Sequence, residues 1–221
     1  MATFNVKHGD NGGGRVDLRR LGTACAALSA DVLAIQEVDR FARRTRFRDE
    51  MRVIARATGL EAVFGEAARR RWRTYGNVLL ARGPIRDVEV FKLPRPNGGE
   101  QRVAIVARVE VDGVSLSVGA THLSFRAGEG LPQLEVVLGA LARRDGPRVL
   151  LGDLNLGPEV VEPAVTAAGY RLAPTGPTFP ARRPRTRIDF VAVSGLQILA
   201  ASTPAPGVSD HLPVVADIGA G

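Results

Sequence analysis

The residues of this chain that could do chemistry stand where apolar runs begin or end. Val149-Leu150-Leu151 is followed by Gly152-Asp153-Leu154-Asn155, and Ser209-Asp210-His211 precedes Val214-Val215-Ala216. Leu33-Ala34-Ile35 runs into Gln36-Glu37, and Asp189 heads Phe190-Val191. A carboxylate or imidazole buried at such a place without a partner costs several kcal/mol, so each must pair, bind a metal or face a cleft. Asp153 and Asn155 are two apart, and in extended chain both point to one side. That arrangement suits a carboxylate that orients or deprotonates an attacking water, beside an amide that donates to a developing oxyanion. An Asx turn before Gly157-Pro158 would use the same residues. Asp189 and His211 are read as a carboxylate–imidazole pair. The acid would fix the ring tautomer and raise its pKa, leaving the other nitrogen for a scissile phosphate. A turn or helix cap is the other reading of Ser-Asp-His. Glu37 suits a hard divalent cation, because Mg²⁺ takes one or two carboxylates together with water and substrate phosphate. Taken alone, it is equally an exposed acid at a strand end. Asn5 would supply an oxygen beside it or cap a turn, and Asp210 would lie next to the metal.

Alternating elements must hold these residues. Helical spacing of apolar residues predicts helices over 16–30, 47–58, 132–143 and 158–168, with Gly59 stopping the second and Pro158 in the first turn of the last. Strands are predicted over 2–6, 31–35, 62–65, 77–81, 85–91, 103–111, 114–120, 149–151, 188–193, 197–200 and 213–217. Asp112-Gly113 reads as a hairpin turn. The alternation indicates an α/β fold. Three segments read as loops. Residues 9–14 are flexible by composition, 93–101 hold two prolines and Gly98-Gly99, and 173–187 hold four prolines and four arginines. All three adjoin chemically suggestive residues, as functional loops on a rigid scaffold do.

The 221 residues are expected to form one domain, 1–221, large enough to bury a sizeable core. No apolar run approaches the roughly 18 residues of a membrane span. The chain opens almost at once in a strand-like segment, without the charged and apolar regions of a signal peptide. Cys25 is alone and cannot form an internal disulfide. A cytoplasmic location and a monomer are therefore expected, with a trimmed exported form left open. The net charge is +7, and of 30 basic residues only Lys7 and Lys92 are lysines, leaving 28 arginines. Guanidinium groups bind phosphate bidentately, so the excess suits a polyanionic partner; a genome-wide bias toward arginine codons would also produce it. Two clusters are more telling. Arg69-Arg70-Arg71-Trp72-Arg73 could grip a phosphate backbone while Trp72 stacks on a base. Arg182-Arg183-Pro184-Arg185-Thr186-Arg187 leads directly to Asp189. From these, Arg71 and Arg185 are candidate substrate contacts, and a solvated basic surface is the alternative for both clusters.

Taken in order, Asn5, Gln36-Glu37, Tyr75-Gly76-Asn77, Thr121-His122-Leu123, Gly152-Asp153-Leu154-Asn155, Arg187-Ile188-Asp189 and Ser209-Asp210-His211 resemble the endonuclease/exonuclease/phosphatase superfamily, the metal-dependent phosphoesterases that include deoxyribonuclease I. Each string is short, but seven occur in the family's order over almost the whole chain. The resemblance implies two packed β-sheets flanked by helices, a four-layer αββα sandwich with the site at one end. It implies that Asn5, Glu37 and Asp210 serve a divalent metal, Mg²⁺ or Mn²⁺, and that Asp153, Asn155, Asp189 and His211 are catalytic. It makes His122 a donor to the leaving group or a non-bridging oxygen, where His122 alone would read as a core histidine. It sets Asn77 at the substrate-facing rim, with Arg102 reaching the phosphate. His8 has no counterpart role.

The chain departs from the apurinic-site endonuclease branch in having Lys7 two residues after Asn5, where that branch carries an acid or amide, and in having a Thr-His-Leu strand. Both differences favour the deoxyribonuclease I-like, sphingomyelinase-like and phosphatase-like branches. The extra loops of inositol phosphatases and the disulfides of secreted deoxyribonucleases are absent from the sequence. The expectation is a metal-dependent phosphoesterase cleaving phosphodiester bonds, with nucleic acid as substrate. The alternative is a phosphatase or phosphodiesterase for a small phosphorylated metabolite or lipid head group. A non-catalytic module of the same fold is disfavoured by the intact residue set.

Overall fold

In a computed structural model, residues 1–10, 14, 16–96 and 98–220 are described. The central part of the first predicted loop, 11–13, and Asn97 of the second lie outside the described residues. Twelve strands make two six-stranded sheets. The first has the order β11 (Leu196–Ser202), β12 (Val214–Ala220), β1 (Ala2–Asn5), β2 (Val32–Arg40), β4 (Arg73–Ala81), β3 (Glu61–Arg70). The second has the order β5 (Ile85–Lys92), β6 (Val103–Val111), β7 (Val114–His122), β8 (Arg148–Asp153), β10 (Asp189–Ser194), β9 (Arg171–Leu172). The helices are α1 (Leu18–Ala27), α2 (Glu50–Thr58), α3 (Gly130–Ala142) and α4 (Pro158–Ala167).

The layering follows from the two-residue period of a strand. Val149 and Leu151 of β8 join Val32 and Ala34 of β2 in a core between the sheets. Leu150 points the other way and packs with Leu134, Val137 and Leu141 of α3 and Val161 and Val165 of α4. Leu33 and Ile35 likewise face Leu21 and Cys25 of α1 and Ile54 of α2. Central strands buried on both faces therefore read as continuous apolar runs, which is how the sequence shows them. The result is the expected αββα sandwich. Gly59, at φ 71°, ends α2, and Asp17 caps α1 by accepting from the backbone of Arg19 and Arg20. Asp112 and Gly113, at φ 49° and 78°, make the β6–β7 hairpin turn.

Three differences from the predicted elements bear on function. The strand ending at Ile35 continues to Arg40 through a bulge, so Glu37 lies inside β2 rather than at its end. The basic run of residues 69–73 is a hairpin: β3 extends to Arg70, β4 starts at Arg73, and only Arg71 and Trp72 turn. Both neighbours of β4 carry one extra residue next to their pairing with Gly76, between Ile35 and Val38 on β2 and between Glu66 and Ala68 on β3. A Cβ at Gly76 would lie 1.9 Å from the Gly65 carbonyl oxygen, so only glycine fits between the two bulges. The short strand β9 has no counterpart in the apolar pattern, because its two residues are too few to show a period.

Candidate active site

Strand register brings the chemical residues into one row. Parallel pairing sets His122 of β7 beside Asp153 of β8, and antiparallel pairing sets Asp189 of β10 on its other side. A Cβ at Gly152 would come within 2.4 Å of the Thr121 carbonyl oxygen, so glycine there permits the close approach of β7 and β8. From the first sheet, Asn5 ends β1 and pairs with Gln36, next to Glu37. Glu37 has φ 58°, a left-handed conformation that the bulge imposes on a non-glycine residue. His211 arrives on the segment before β12, whose Ser209 hydroxyl donates to the Asn5 carbonyl at 2.7 Å.

The two sheets meet at the carboxylate of Asp153. The Asn5 side-chain amide donates to Asp153 Oδ2 at 2.9 Å and to Glu37 Oε1 at 3.0 Å. His122 Nε2 lies 3.4 Å, and His211 Nε2 3.8 Å, from the same Asp153 oxygen. Asp153 Oδ1 accepts from the Asn155 backbone at 3.0 Å, with Asn155 in a left-handed conformation at φ 50°. The Asx-type turn and the catalytic arrangement are thus one structure. The Asn155 side-chain amide lies 3.0 Å from His122 Nε2 and donates to the Leu123 carbonyl at 3.1 Å.

The two histidines are tuned in opposite directions. His211 Nδ1 is 3.0 Å from Asp189 Oδ2. Burial alone would lower the pKa of His211, but the hydrogen bond and charge of Asp189, with Asp153 and Asp210 nearby, raise it to about 9. His211 is therefore an imidazolium at neutral pH, with Nδ1–H on Asp189 and Nε2–H facing Asp153. Burial, Arg102 and His211 hold His122 well below its usual range, so it stays neutral. Arg102 Nη1 lies 3.0 Å from His122 Nδ1 and the Asn155 amide nitrogen 3.0 Å from Nε2; both are donors, and a neutral ring accepts from only one of them. Burial and the neighbouring Asp189 raise Asp153 to about 7, against the opposing pull of His211, Asn5 and the Asn155 N–H. Asp189 Oδ1 is fully buried and has no partner among the described residues, an orphaned acceptor beside this cluster.

Asp153, Asp189 and His211 offer ligand atoms within 4.8 Å of one another and could hold an ion. Their mutual hydrogen bond engages His211 Nδ1, however, and the more open oxygen is on Glu37. Glu37 is held by Asn5 on one side and approached by His8 Nε2 at 3.4 Å on the other. The Glu37 carboxylate is a donor suited to a hard divalent cation. Asp210 is drawn elsewhere, with its Oδ2 2.6 Å from the Lys7 ammonium. The Asn5 side-chain oxygen accepts from the Lys7 backbone at 3.1 Å, so its amide nitrogen is what faces the two carboxylates.

The remaining sequence candidates are dispersed. Arg102 is buried against His122, and its Nε has no partner among the described residues. Asn77 is buried, and its amide donates to the Val103 carbonyl at 3.0 Å, tying β4 to the other sheet at the strand that follows Arg102. Arg71 lines a cavity at the β3–β4 hairpin, and Arg185 lines another with Gly157, Glu159 and Arg187. The sequence reading gave no role to His8. It sits in a 3-10 turn over Lys7–Gly9, and its Nδ1 approaches the Glu37 carbonyl oxygen at 2.9 Å and Arg44 Nη2 at 3.1 Å. Its signal was only its spacing, three residues after Asn5. Lys7 and His8 both have positive φ, at 43° and 56°, which turns them back over the site. An open cleft of about 920 Å³ leads away from Glu37 and His8 between Tyr75, Arg43, Arg44, Arg70 and Arg73.

Comparison with known proteins agrees with this geometry. No curated protein matches the chain. Solved structures do, across its whole length. An endonuclease/exonuclease/phosphatase from Beutenbergia cavernae is 23% identical, covering 100% of this chain and 71% of its own, with a TM-score of 0.79. A functionally unknown conserved protein from Enterococcus faecalis is 20% identical, covering 100% and 99%, with a TM-score of 0.78. A mannosyl-6-phosphatase from Bacteroides thetaiotaomicron is 14% identical, covering 98% of each chain, with a TM-score of 0.75. At these identities the likeness shows a shared fold. The family itself is shown by the sequence: the endonuclease/exonuclease/phosphatase family model matches residues 2–211, and the chain belongs to that family of phosphoester hydrolases.

Proposed function

We propose that this protein is a divalent-metal-dependent phosphodiesterase whose substrate is nucleic acid. The observation that carries the reading is the convergence on Asp153 Oδ2 of Asn5, His122 and His211, drawn from both sheets. Asp153, near its midpoint of ionisation at neutral pH, takes the proton of a water that attacks phosphorus. The new bond is P–O from water, and the bond that breaks is P–O to the leaving oxygen, which departs as the alkoxide and takes its proton from solvent. The His211 imidazolium, held by Asp189, donates through Nε2 to a non-bridging oxygen as charge builds there. Neutral His122, set between Arg102 and the Asn155 amide, faces the same space. Glu37, positioned by the Asn5 amide, would hold Mg²⁺ or Mn²⁺, and Asp210 would join it by exchanging Lys7 for the ion. Such an ion neutralises phosphate charge and stabilises a leaving oxygen. The arginines along the cleft favour a polynucleotide over a small metabolite, because several phosphates can be engaged at once.

The test is a panel of plasmid DNA, RNA oligonucleotides, mononucleotides, a sugar phosphate and bis-p-nitrophenyl phosphate, each with chelated protein and after adding Mg²⁺ or Mn²⁺. Cleavage of the polynucleotides that disappears on chelation and returns with metal is expected. Full activity in chelator would overturn the metal requirement. Selective hydrolysis of a small phosphomonoester would promote the phosphatase reading, the activity named for the Bacteroides relative.

A further inference from the structure

The tip of the β3–β4 hairpin is built against its own stability. Arg70 and Arg73 are directly opposite in the strand register, and like charges in that position weaken the pairing. Between them Arg71 adopts φ 56°, unfavourable for a non-glycine residue, and Trp72 stands 58% exposed. Phe47, at φ 60° and 55% exposed, lines the same cavity of about 490 Å³ together with Trp72, Arg43, Arg70, Arg71 and Arg73. Other arginines nearby are neutralised, Arg44 by Asp39 and Arg69 by Glu66. Among the described residues no carboxylate pairs with Arg43, Arg70, Arg71 or Arg73. Two uncovered aromatic rings and four uncompensated guanidinium groups thus share one concavity. That concavity is continuous with the catalytic cleft, because Arg43, Arg70 and Arg73 also line the larger cavity that reaches Glu37 and Tyr75.

We propose that this concavity is a nucleobase site for single-stranded nucleic acid. It would stack an unpaired base of the substrate on Trp72 and Phe47 while Arg43, Arg70 and Arg73 hold the phosphates between that base and the scissile bond. The proposal rests on the nuclease reading and sharpens it. Arginines alone would accept any polyanion, and aromatic rings alone any apolar surface; the two together match a strand that alternates phosphates with flat, polarisable bases. A duplex keeps its bases stacked on one another and would engage the arginines without using the rings. The rings line a recess that runs into the active site, where a strand already bound at the scissile phosphate would continue.

Trp72 is the only tryptophan, so its fluorescence reports on this site directly. The wild-type protein is titrated in chelator, which prevents cleavage, with a short oligothymidylate, an abasic oligonucleotide of equal length and a duplex of the same length. Saturable quenching by the base-containing single strand, and little by the abasic strand or the duplex, is expected. Anisotropy with a labelled oligothymidylate then compares variants whose fold is verified by circular dichroism. Trp72→Ala should weaken binding roughly fivefold to a hundredfold, the range for one base on one aromatic ring, and Trp72→Phe should restore most of it. No quenching, equal quenching by the abasic strand, or unchanged affinity in Trp72→Ala would overturn the site. If the protein with Mn²⁺ still cuts the oligonucleotide in those cases, the nuclease reading stands and only the stacking site falls. A protein that neither binds nor cuts oligonucleotides, yet hydrolyses a small phosphoester, removes both.

Discussion

In the proposed mechanism the chemistry turns on Asp153, and an isosteric amide there would not serve. Asp153 Oδ1 accepts from the Asn155 N–H and its Oδ2 from the Asn5 amide, so the carboxylate is held in place where it would take a proton from water. Asp153→Asn keeps the shape but cannot act as a base, and the maximal rate should fall by roughly two or more orders of magnitude. His211→Ala should lose a similar amount, because it removes a preorganised positive donor. Asp189→Ala should resemble His211→Ala, since its Oδ2 holds that ring. The Asp153/His211 double variant should be far less impaired than the product of the two single losses, because both groups act on one transition state. Steady-state rates read beside thermal melts decide the point; losses of stability that track the losses of rate would make these residues structural. At this scale the sequence was legible where a polar residue interrupted an apolar strand, as at Asp153, Asp189 and His122. Lys7 and His8 carry no such contrast. They face the site because their backbone enters the left-handed region, and no local pattern of residue types announces that.

At the scale of elements, the placement of Glu37 depends on two bulges and on what anchors the strand beyond them. The apolar run predicted a strand ending at Ile35, because the polar residues beyond it look like loop. The strand resumes because α2 closes over it. Glu50, in the first turn of α2, is fully buried, and its Oε2 accepts from the Asp39 backbone at 2.5 Å while Oε1 has no partner among the described residues. Burial raises its pKa to about 8, assisted by the Asp39 and Asp49 charges and opposed by the Asp39 N–H and Arg44. The folded-state value thus lies above that of the unfolded chain. Below about pH 4.5 both states hold the proton and Glu50 contributes no pH dependence. Between there and about pH 8 the unfolded chain ionises first, so this group lowers stability progressively as pH rises, and above about pH 8 the penalty is constant. Glu50→Gln can still accept from Asp39 and never ionises. Urea unfolding of both proteins from pH 5 to 8.5 should show the variant gaining on the wild type by a few kcal/mol across that window, at about 1.4 kcal/mol per unit. Parallel curves would mean that Glu50 is ionised in the folded protein.

At the scale of the whole molecule, the site sits where the central strands of both sheets end, and the basic segments lie toward opposite sides. The β3–β4 hairpin forms one margin of the first sheet, and the 173–187 segment joins β9, at the opposite margin of the second sheet, to β10. The order of motifs along the chain made the sandwich readable through the family resemblance, whereas the alternation of helix and strand patterns indicated only an α/β fold. The hairpin was not readable as one, since charge density obscured the alternation of β3 and β4. A polynucleotide crossing the active site would meet the arginines of both segments, whereas a small diester would be too short to engage them. Replacing Arg70, Arg71, Arg183 and Arg185 together with alanine should therefore weaken polynucleotide cleavage strongly. Each lost phosphate contact should also flatten the log–log salt dependence of binding by roughly 0.7 to 0.9. Hydrolysis of bis-p-nitrophenyl phosphate should be nearly unchanged, because its reaction needs only the residues around Asp153. Equal loss on both substrates would assign these arginines to the catalytic centre or the fold. An unchanged salt slope would mean that the positive charge of this surface serves no polyanion.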